Sequence, residues 1–167
     1  MRKGIGGHTL PNRGATDDWI TPPEIIDALG LFSLDPSESQ NQPWRCAQFG
    51  YTRNGLEEPW FGRVWLNCPY SECAKWLRKM AAHNHGTALI FARTETRMFF
   101  ESVWPVASAV LFIQGRLHFH HPDGTRSKLN SGGPSVLIAY GESDAEILEG
   151  CTIPGKFVRL KQGAKEC

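Results

Sequence analysis

The chain has 167 residues, which suits one domain with a single hydrophobic core and leaves little room for a second. Hydrophobic residues make up 41% and charged residues 21%, which excludes an intrinsically disordered chain. The formal net charge is only +1, so a surface for nucleic acid would have to be a local basic patch. No apolar run approaches the roughly 20 residues that span a bilayer, and we expect no membrane segment.

The ends of the chain indicate the limits of the domain, and the cysteines indicate the redox compartment. Residues 1–16 are basic and glycine-rich without an apolar stretch, which predicts a flexible arm and not a signal peptide. We expect one domain over residues 17–160 and a short tail over residues 161–167. The five cysteines are irregularly spaced, which argues against a disulfide framework and for a reducing cytoplasm.

The first third of the chain predicts one helix and one short strand. Thr21 precedes two prolines and a glutamate, a pattern that predicts a capped helix over residues 22–29 ending at Gly30. Residues 31–35 form an apolar run of strand length. Residues 43–60 show no clear period and are expected to be irregular.

The middle of the chain alternates between strands and helices. Residues 63–66 predict a strand that runs directly into Asn67. Ser71 is a candidate cap for a second helix, which a strand over residues 87–92 follows. Residues 96–104 then predict a third helix that proline 105 ends.

The last part of the chain predicts a strand, a hairpin and a final helix. Residues 107–113 form a buried strand. Residues 116–121 and a return arm ending in residues 135–140 flank a Pro-Asp-Gly turn signal, which predicts an antiparallel hairpin. Ser143 and Glu146 have capping-box spacing at the start of a short helix.

These elements together predict an α/β fold. Strands with continuous apolar runs that alternate with helices indicate a mostly parallel sheet covered on both faces, with a C-terminal antiparallel hairpin. In such sheets ligands bind at the carboxyl ends of the strands, where Asp35 and Asn67 fall. No glycine-rich loop follows Leu34, and the stretch from Asp35 to Asn67 is little longer than one βαβ unit, so we expect an abbreviated sheet.

The tetrapeptide Asn67-Cys68-Pro69-Tyr70 resembles the Asn/Asp/Ser-Pro-Pro-Tyr/Phe catalytic loop of amino-methyltransferases. A ring-attached amine is a poor nucleophile because its lone pair is delocalised. The Asn67 side-chain oxygen and the Cys68 carbonyl can accept its two hydrogens and stabilise the positive charge that develops on nitrogen. Pro69 stiffens the loop, and Tyr70 offers a surface on which a base can stack. Taken alone, the tetrapeptide also fits an ordinary strand-to-helix turn.

A wider resemblance extends over residues 18–140, where an ordered series of segments is similar to the phage family of Dam-like DNA N6-adenine methyltransferases. The matching segments are residues 18–22, 34–36, 55–56 with Trp60, 64–71, 92–96, 112–117 and 134–135. The resemblance implies an abbreviated Rossmann-like, S-adenosylmethionine-dependent methyltransferase fold. The family has a proline at the position of Cys68, and this departure predicts a less stiff catalytic loop.

The resemblance also implies a set of cofactor-binding residues. Trp19, Thr21 and Pro22 correspond to the segment that touches the methionine end of S-adenosylmethionine. Asp35 would hold the cofactor through its amino group or a ribose hydroxyl, and Asn54 would contact its adenine. A turn asparagine beside a glycine is the alternative for Asn54.

For the substrate, the resemblance implies DNA with the target adenine flipped out of the duplex. The residues expected to contact the base or the DNA phosphates are Tyr70, Arg93, Thr94 and Arg116. The alternatives are structural, with Arg93 paired to Glu95 or Glu101 and Arg116 closing the hairpin.

The function that follows is methyl transfer from S-adenosylmethionine to the N6 amine of adenine in DNA, with a short or relaxed target sequence. The same loop also suits an RNA base amine or a protein glutamine amide. Outside the enzymes, a catalytically lapsed nucleic-acid-binding or anti-restriction module is the alternative. His118, His120 and His121 have no neighbouring acid or cysteine in the sequence, and we expect no metal site there.

Overall fold

The computed structural model describes residues 18–160, so the predicted arm at 1–16 and the tail at 161–167 lie outside the described residues. The helices of this region are α1 (Pro23–Leu29), α2 (Cys73–His83), α3 (Arg97–Ser102) and α4 (Glu142–Gly150). The strands are β1 (Leu34–Asp35), β2 (Phe49–Gly50), β3 (Val64–Leu66), β4 (Gly86–Phe91), β5 (Ala109–Ile113), β6 (Ser135–Tyr140) and β7 (Gly155–Arg159). No helix over residues 18–160 is long and apolar enough to cross a membrane.

All seven strands form one mixed sheet in the order β2-β1-β3-β4-β6-β5-β7. The neighbours β2, β1, β3 and β4 pair in parallel. Strand β6 is antiparallel to both β4 and β5, and β7 is antiparallel to β5. Strands β1 to β5 therefore share one direction, and β6 and β7 run the opposite way. The α/β prediction is confirmed, but the antiparallel part is larger than one hairpin.

Helices cover both faces of the sheet, as the continuous apolar strands predict. One core cluster packs α2 and α3 against one face, with Leu77 and Phe99 fully buried. The other packs α1 and α4 against the opposite face, with Leu29 and Leu148 buried beside Trp65. Every residue of β6 is buried, because this strand is covered on both faces and flanked by strands on both edges.

The predicted hairpin is wrong in its pairing. The return strand β6 pairs with β4 and β5, and residues 116–121 do not pair with it. A strand as apolar as β6 buries the most apolar surface when it lies between two other strands. Residues 114–134, which connect β5 to β6, therefore lie outside the sheet, and we call this segment the excursion. The Pro-Asp-Gly turn does form within that excursion, where His121 N donates to Thr125 O at 2.9 Å.

The three predicted side-chain caps, at Thr21, Ser71 and Ser143, are also wrong. The residues at the N-cap positions are Pro22, Glu72 and Gly141, and none makes a side-chain capping hydrogen bond. A 3₁₀ turn, Tyr70–Glu72, precedes α2 and displaces Ser71 from the cap position. The hydroxyl of Thr21 is used in a tertiary hydrogen bond instead.

The order of the strands creates a switch point beside β1. The chain passes from β1 outward to β2 and then returns to the other side of β1 to form β3. In open α/β sheets the crevice at such a reversal, at the carboxyl ends of the strands, is the usual ligand site. The topology therefore directs attention to the ends of β1 and β3.

Candidate active site

The crevice between the ends of β1 and β3 brings together the two strand-end residues singled out in the sequence. Asp35 is the last residue of β1, and Asn67 follows the last residue of β3. Ser37 bridges them, since its hydroxyl donates to the Asn67 carbonyl oxygen at 3.1 Å and its main-chain N–H donates to Asp35 Oδ1 at 3.0 Å. The loops after the two strands are thus tied into one unit.

The Asn67 side chain is held in one orientation by its amide nitrogen. Nδ2 donates to the carbonyl oxygen of Trp19 at 2.9 Å and to Thr21 Oγ1 at 3.1 Å. Thr21 is itself fixed, because the Trp44 indole N–H donates to its carbonyl oxygen at 3.1 Å. No hydrogen bond within residues 18–160 uses Asn67 Oδ1, and this oxygen remains as an acceptor in the crevice.

Asp35 is a buried carboxyl group, 4% exposed, with no ion pair among the described residues. Burial raises the pKa of Asp35 to about 7, while the hydrogen bond from the Ser37 N–H opposes the rise. The nearby Glu38 carboxylate raises this pKa further, and Arg45 lowers it slightly. A carboxylate in such a place is stabilised by a cation, so the position suits a positively charged ligand group.

Two adjoining clefts open at this crevice. The smaller has a volume of about 30 Å³, and its lining includes five of the predicted residues: Trp19, Thr21, Asp35, Asn67 and Pro69. The larger has a volume of about 420 Å³, within the usual range of small-molecule sites, and its lining includes Tyr51, Asn54 and Trp76. Ser37 and Pro69 line both clefts. Pro22 lines neither and instead precedes α1.

The wall of the larger cleft depends on a close approach of two loops. A Cβ atom at Gly55 would lie 1.8 Å from the Pro36 carbonyl oxygen, so only glycine fits between the loops that follow β1 and β2. Asn54 has the left-handed φ of 55°, and its carbonyl oxygen accepts the N–H groups of Glu57 and Glu58. Asn54 is therefore a turn residue that also lines the cleft.

The rest of the Asn67-Cys68-Pro69-Tyr70 loop is packed against its surroundings. The thiols of Cys68 and Cys73 are both buried, with their sulfurs 3.5 Å apart. This contact lowers the pKa of the Cys73 thiol. The Tyr70 ring stacks on Phe91 with centroids 4.3 Å apart and stays 38% exposed. One face of the tyrosine is thus supported from within the protein.

The predicted substrate-binding residues lie outside both clefts. Arg93 and Arg116 are exposed, and neither forms an ion pair within residues 18–160. Glu101 pairs with Arg97 and Arg78, so the pairing considered for Arg93 with Glu101 is wrong. The carbonyl oxygen of Thr94 accepts the Trp104 indole N–H at 3.2 Å.

Sequence reasoning missed residues that the fold brings to the crevice. Ser37 belongs to a polar stretch after β1 that carries no motif, although its place two residues after a strand-end acid is an available signal. Tyr51 lies in the loop after β2, and Trp76 lies in α2. No local sequence pattern links either residue to the site. The three histidines at 118, 120 and 121 join no metal-binding group of three among the described residues.

Comparison with known proteins identifies one family. The sequence model of one family, described as DNA N-6-adenine-methyltransferase (Dam), matches residues 8–149, which is most of the chain. That range includes the crevice, both clefts and the whole Asn67-Cys68-Pro69-Tyr70 loop. No curated protein and no solved structure matches the chain.

Proposed function

The chain belongs to the DNA N-6-adenine-methyltransferase (Dam) family, and we propose that it transfers a methyl group from S-adenosylmethionine to the N6 amine of adenine in DNA. The observation that carries the proposal is the fixed Asn67 amide at the switch point of the sheet. We further propose that the sheet is an abbreviated Rossmann-like methyltransferase fold and that the protein acts in the cytoplasm of the cell that makes it.

The catalytic loop acts on the nitrogen of the target base. Asn67 Oδ1 and the Cys68 carbonyl oxygen accept the two hydrogens of the amine, and carbonyl oxygens have two lone pairs for this purpose. The nitrogen then becomes pyramidal, with its lone pair directed away from the ring. Because the Asn67 amide is already held in orientation, its oxygen stabilises the positive charge of the transition state without reorganising.

The two clefts fit the chemistry of the cofactor. S-adenosylmethionine supplies an electrophilic methyl group on a sulfonium, and it also carries an ammonium group. Asp35 offers a buried carboxylate to this cationic end in the small cleft, beside Trp19 and Thr21. The larger cleft offers Tyr51, Asn54 and Trp76 to the nucleoside end, while Pro22 acts by fixing the start of α1.

The target base approaches from the side of Tyr70. The small cleft, with a volume of about 30 Å³, is too small for a whole base, so the base lies outside it and only its amine points inward. Stacking on Tyr70, with Phe91 behind it, stabilises a flipped base by about 1–3 kcal/mol. Arg93, Thr94 and Arg116 are left for the DNA backbone and the surroundings of the base.

Labelled S-adenosylmethionine distributed among DNA, RNA and protein acceptors tests this function. We expect label only in DNA, as N6-methyladenine. Asn67→Ala should lower transfer at least about 100-fold, as the loss of a transition-state acceptor does, with cofactor affinity by calorimetry nearly unchanged. Label in RNA or in glutamine contradicts the DNA substrate. Absence of cofactor binding contradicts the enzyme and favours a lapsed nucleic-acid-binding module.

A further inference from the structure

The excursion between β5 and β6, residues 114–134, lies at the same edge of the sheet as the catalytic loop. Strand β5 runs in the direction of β3 and β4, so its end at Ile113 is on the side of Asn67. The excursion is tied to the segment before α1, since Ile20 and His120 exchange main-chain hydrogen bonds of 2.9 and 3.0 Å. It therefore borders the crevice.

The excursion is an irregular hairpin with a bulge in its return arm. Ser127 N donates to Phe119 O, and Ser131 N donates to Leu117 O, both at 2.8 Å. One residue separates the two acceptors and three separate the two donors. The return arm thus has two residues more than a regular ladder allows, and residues 128–130 must loop outward from the hairpin.

The bulge is held by its own hydrogen bonds. Leu129 N donates to the Ser127 hydroxyl at 3.2 Å, and Gly132 N donates to Asn130 Oδ1 at 3.1 Å. The side chain that this arrangement projects is Leu129, which is 76% exposed. An exposed leucine contributes almost nothing to the free energy of folding, because it buries little apolar surface. Its exposed position on the bulge therefore indicates a role other than stability.

The hairpin that carries Leu129 also carries three cations. Lys128 is the neighbour of Leu129, and Arg126 and Arg116 lie on the two arms of the same hairpin, all three exposed. None of them forms an ion pair within residues 18–160. The acid of this excursion, Asp123, is at the turn, where its carboxylate already accepts two hydrogen bonds from Thr125. Exposed cations on a hairpin that also projects an apolar side chain are complementary to a phosphate backbone and a base stack.

The base of the bulge is attached beside the stacking platform of the site. Ala92 N donates to the Pro134 carbonyl oxygen at 2.8 Å. Gly133 packs on the Phe91 ring so closely that a Cβ there would be 3.3 Å from it. Phe91 in turn stacks on Tyr70. The bulge and Tyr70 are thus connected through a single aromatic ring.

We propose that Leu129 is a wedge that enters the base stack of double-stranded DNA, while Lys128, Arg126 and Arg116 hold the flanking phosphates. It occupies the space that the target base leaves on turning toward Tyr70. Unstacking a paired base costs a few kcal/mol, and an inserted apolar side chain offsets part of that cost. This assignment rests on the proposed function for the reaction and adds the part of the chain that opens the duplex.

Leu129→Ala tests the wedge by comparing methyl transfer to one adenine in a duplex and in the same single strand. A wedge matters only where a base must be unstacked, so we expect about a tenfold loss on the duplex and less than a twofold loss on the single strand. Leu31→Ala is the matched control, since Leu31 is 82% exposed but precedes β1 at the opposite edge of the sheet. It should change neither rate. Equal losses on both substrates, or no loss on the duplex, overturn the wedge.

A second measurement does not depend on methyl transfer. Unstacked thymines react with permanganate, so bound wild-type protein should increase thymine reactivity in duplex DNA and Leu129→Ala should not. Leu129→Phe, which keeps an apolar wedge, should retain the effect. Lys128→Ala should lower the salt dependence of duplex binding by about one phosphate contact. If no acceptor is methylated, the proposed function fails, while permanganate reactivity that is the same for wild type and Leu129→Ala rejects the wedge by itself.

Discussion

Asn67 Nδ2 donates a hydrogen bond to the Thr21 hydroxyl at 3.1 Å, across 46 positions of the sequence. Together with the bond to the Trp19 carbonyl oxygen, it uses both amide hydrogens of Asn67. Rotation of the amide would exchange its nitrogen and oxygen and place a donor in the crevice. The segment before α1 therefore decides that Asn67 presents an acceptor.

Thr21→Val is the direct test of this relationship, because it replaces a buried hydroxyl with a methyl group of similar shape. One amide hydrogen of Asn67 loses its acceptor, which costs about 1–2 kcal/mol in orientation. We expect kcat to fall about tenfold, with a smaller change in the KM for DNA. Thr21→Ser keeps the hydroxyl and should retain the wild-type kcat, and a wild-type kcat in Thr21→Val would exclude the positioning role.

The burial of Asp35 predicts an unusual pH dependence of stability. Its folded pKa of about 7 lies above 3.8, the ordinary value for an aspartate side chain. Between these values the unfolded carboxyl has lost its proton and the folded one keeps it, so the free energy of unfolding falls as the pH rises, and levels off above pH 7. Between pH 5 and pH 8 this contribution is about 3 kcal/mol.

Asp35→Asn removes the titrating group and should remove this slope. Urea denaturation of both proteins without cofactor, at pH 5 and pH 8, measures the difference. The variant should gain stability relative to wild type at pH 8 and little at pH 5. Parallel pH profiles of the two proteins would show that the carboxyl is ionised in the folded state at pH 5.

The thiol pair in the catalytic loop predicts sensitivity to oxidation. The sulfurs of Cys68 and Cys73 are 3.5 Å apart, and the lowered pKa of Cys73 favours its reactive thiolate. A thiol-specific oxidant such as diamide removes two hydrogens and joins the sulfurs at about 2.0 Å, which pulls on the Cys68 carbonyl. We expect methyl transfer to fall about tenfold and to recover with dithiothreitol.

Cys73→Ala should make methyl transfer resistant to the same oxidant, and mass spectrometry should show the loss of two hydrogens only when both thiols are present. Cys151→Ala is the matched control, because Cys151 is a free cysteine at the end of α4, on the opposite face of the sheet, and lines neither cleft. If Cys73→Ala loses activity with diamide as wild type does, another thiol is responsible.

The stack of Tyr70 on Phe91 predicts a graded series of variants. Tyr70→Ala removes the surface for the base, and we expect kcat/KM to fall about tenfold, which corresponds to the energy of one stacked base. Tyr70→Phe keeps the ring and should stay within about threefold of wild type. Phe91→Ala leaves the Tyr70 ring without its support, and its kcat/KM should lie between the values of those two variants. An unchanged kcat/KM in Tyr70→Ala would show that the base stacks elsewhere.

The sequence predicts those parts of the fold that depend on local patterns. Continuous apolar runs identify β3, β4 and β5, and they place Asn67 correctly after a strand. Strand β2 is two residues long with Phe49 exposed, and β7 is mostly exposed. Both strands are held by main-chain pairing with a neighbouring strand, which no pattern of side chains in the sequence predicts. The position of β6 between β4 and β5 depends on which long-range partner covers it best.

The sequence likewise predicts those site residues that depend on local patterns. Asp35 and Asn67 follow from the rule on strand ends, because both lie on strands that the sequence identifies. The contribution of Tyr51 and Trp76 depends on how two loops and a helix meet, which is a matter of tertiary packing. Thr21 was predicted as a helix cap because its local context fits one, and the tertiary bond to Asn67 replaced that role.

Gly55→Ala tests the close approach that forms the wall of the larger cleft. Its new methyl carbon would meet the Pro36 carbonyl oxygen at 1.8 Å, so the two loops must separate. We expect a loss of about 2–3 kcal/mol in the free energy of unfolding, the upper part of the range for single substitutions, and weaker cofactor binding by calorimetry. Gly150→Ala is the matched control, since nothing lies within 4 Å of its added carbon and alanine favours the helix. Equal stability of the two variants would mean that the loops after β1 and β2 are not in contact in solution.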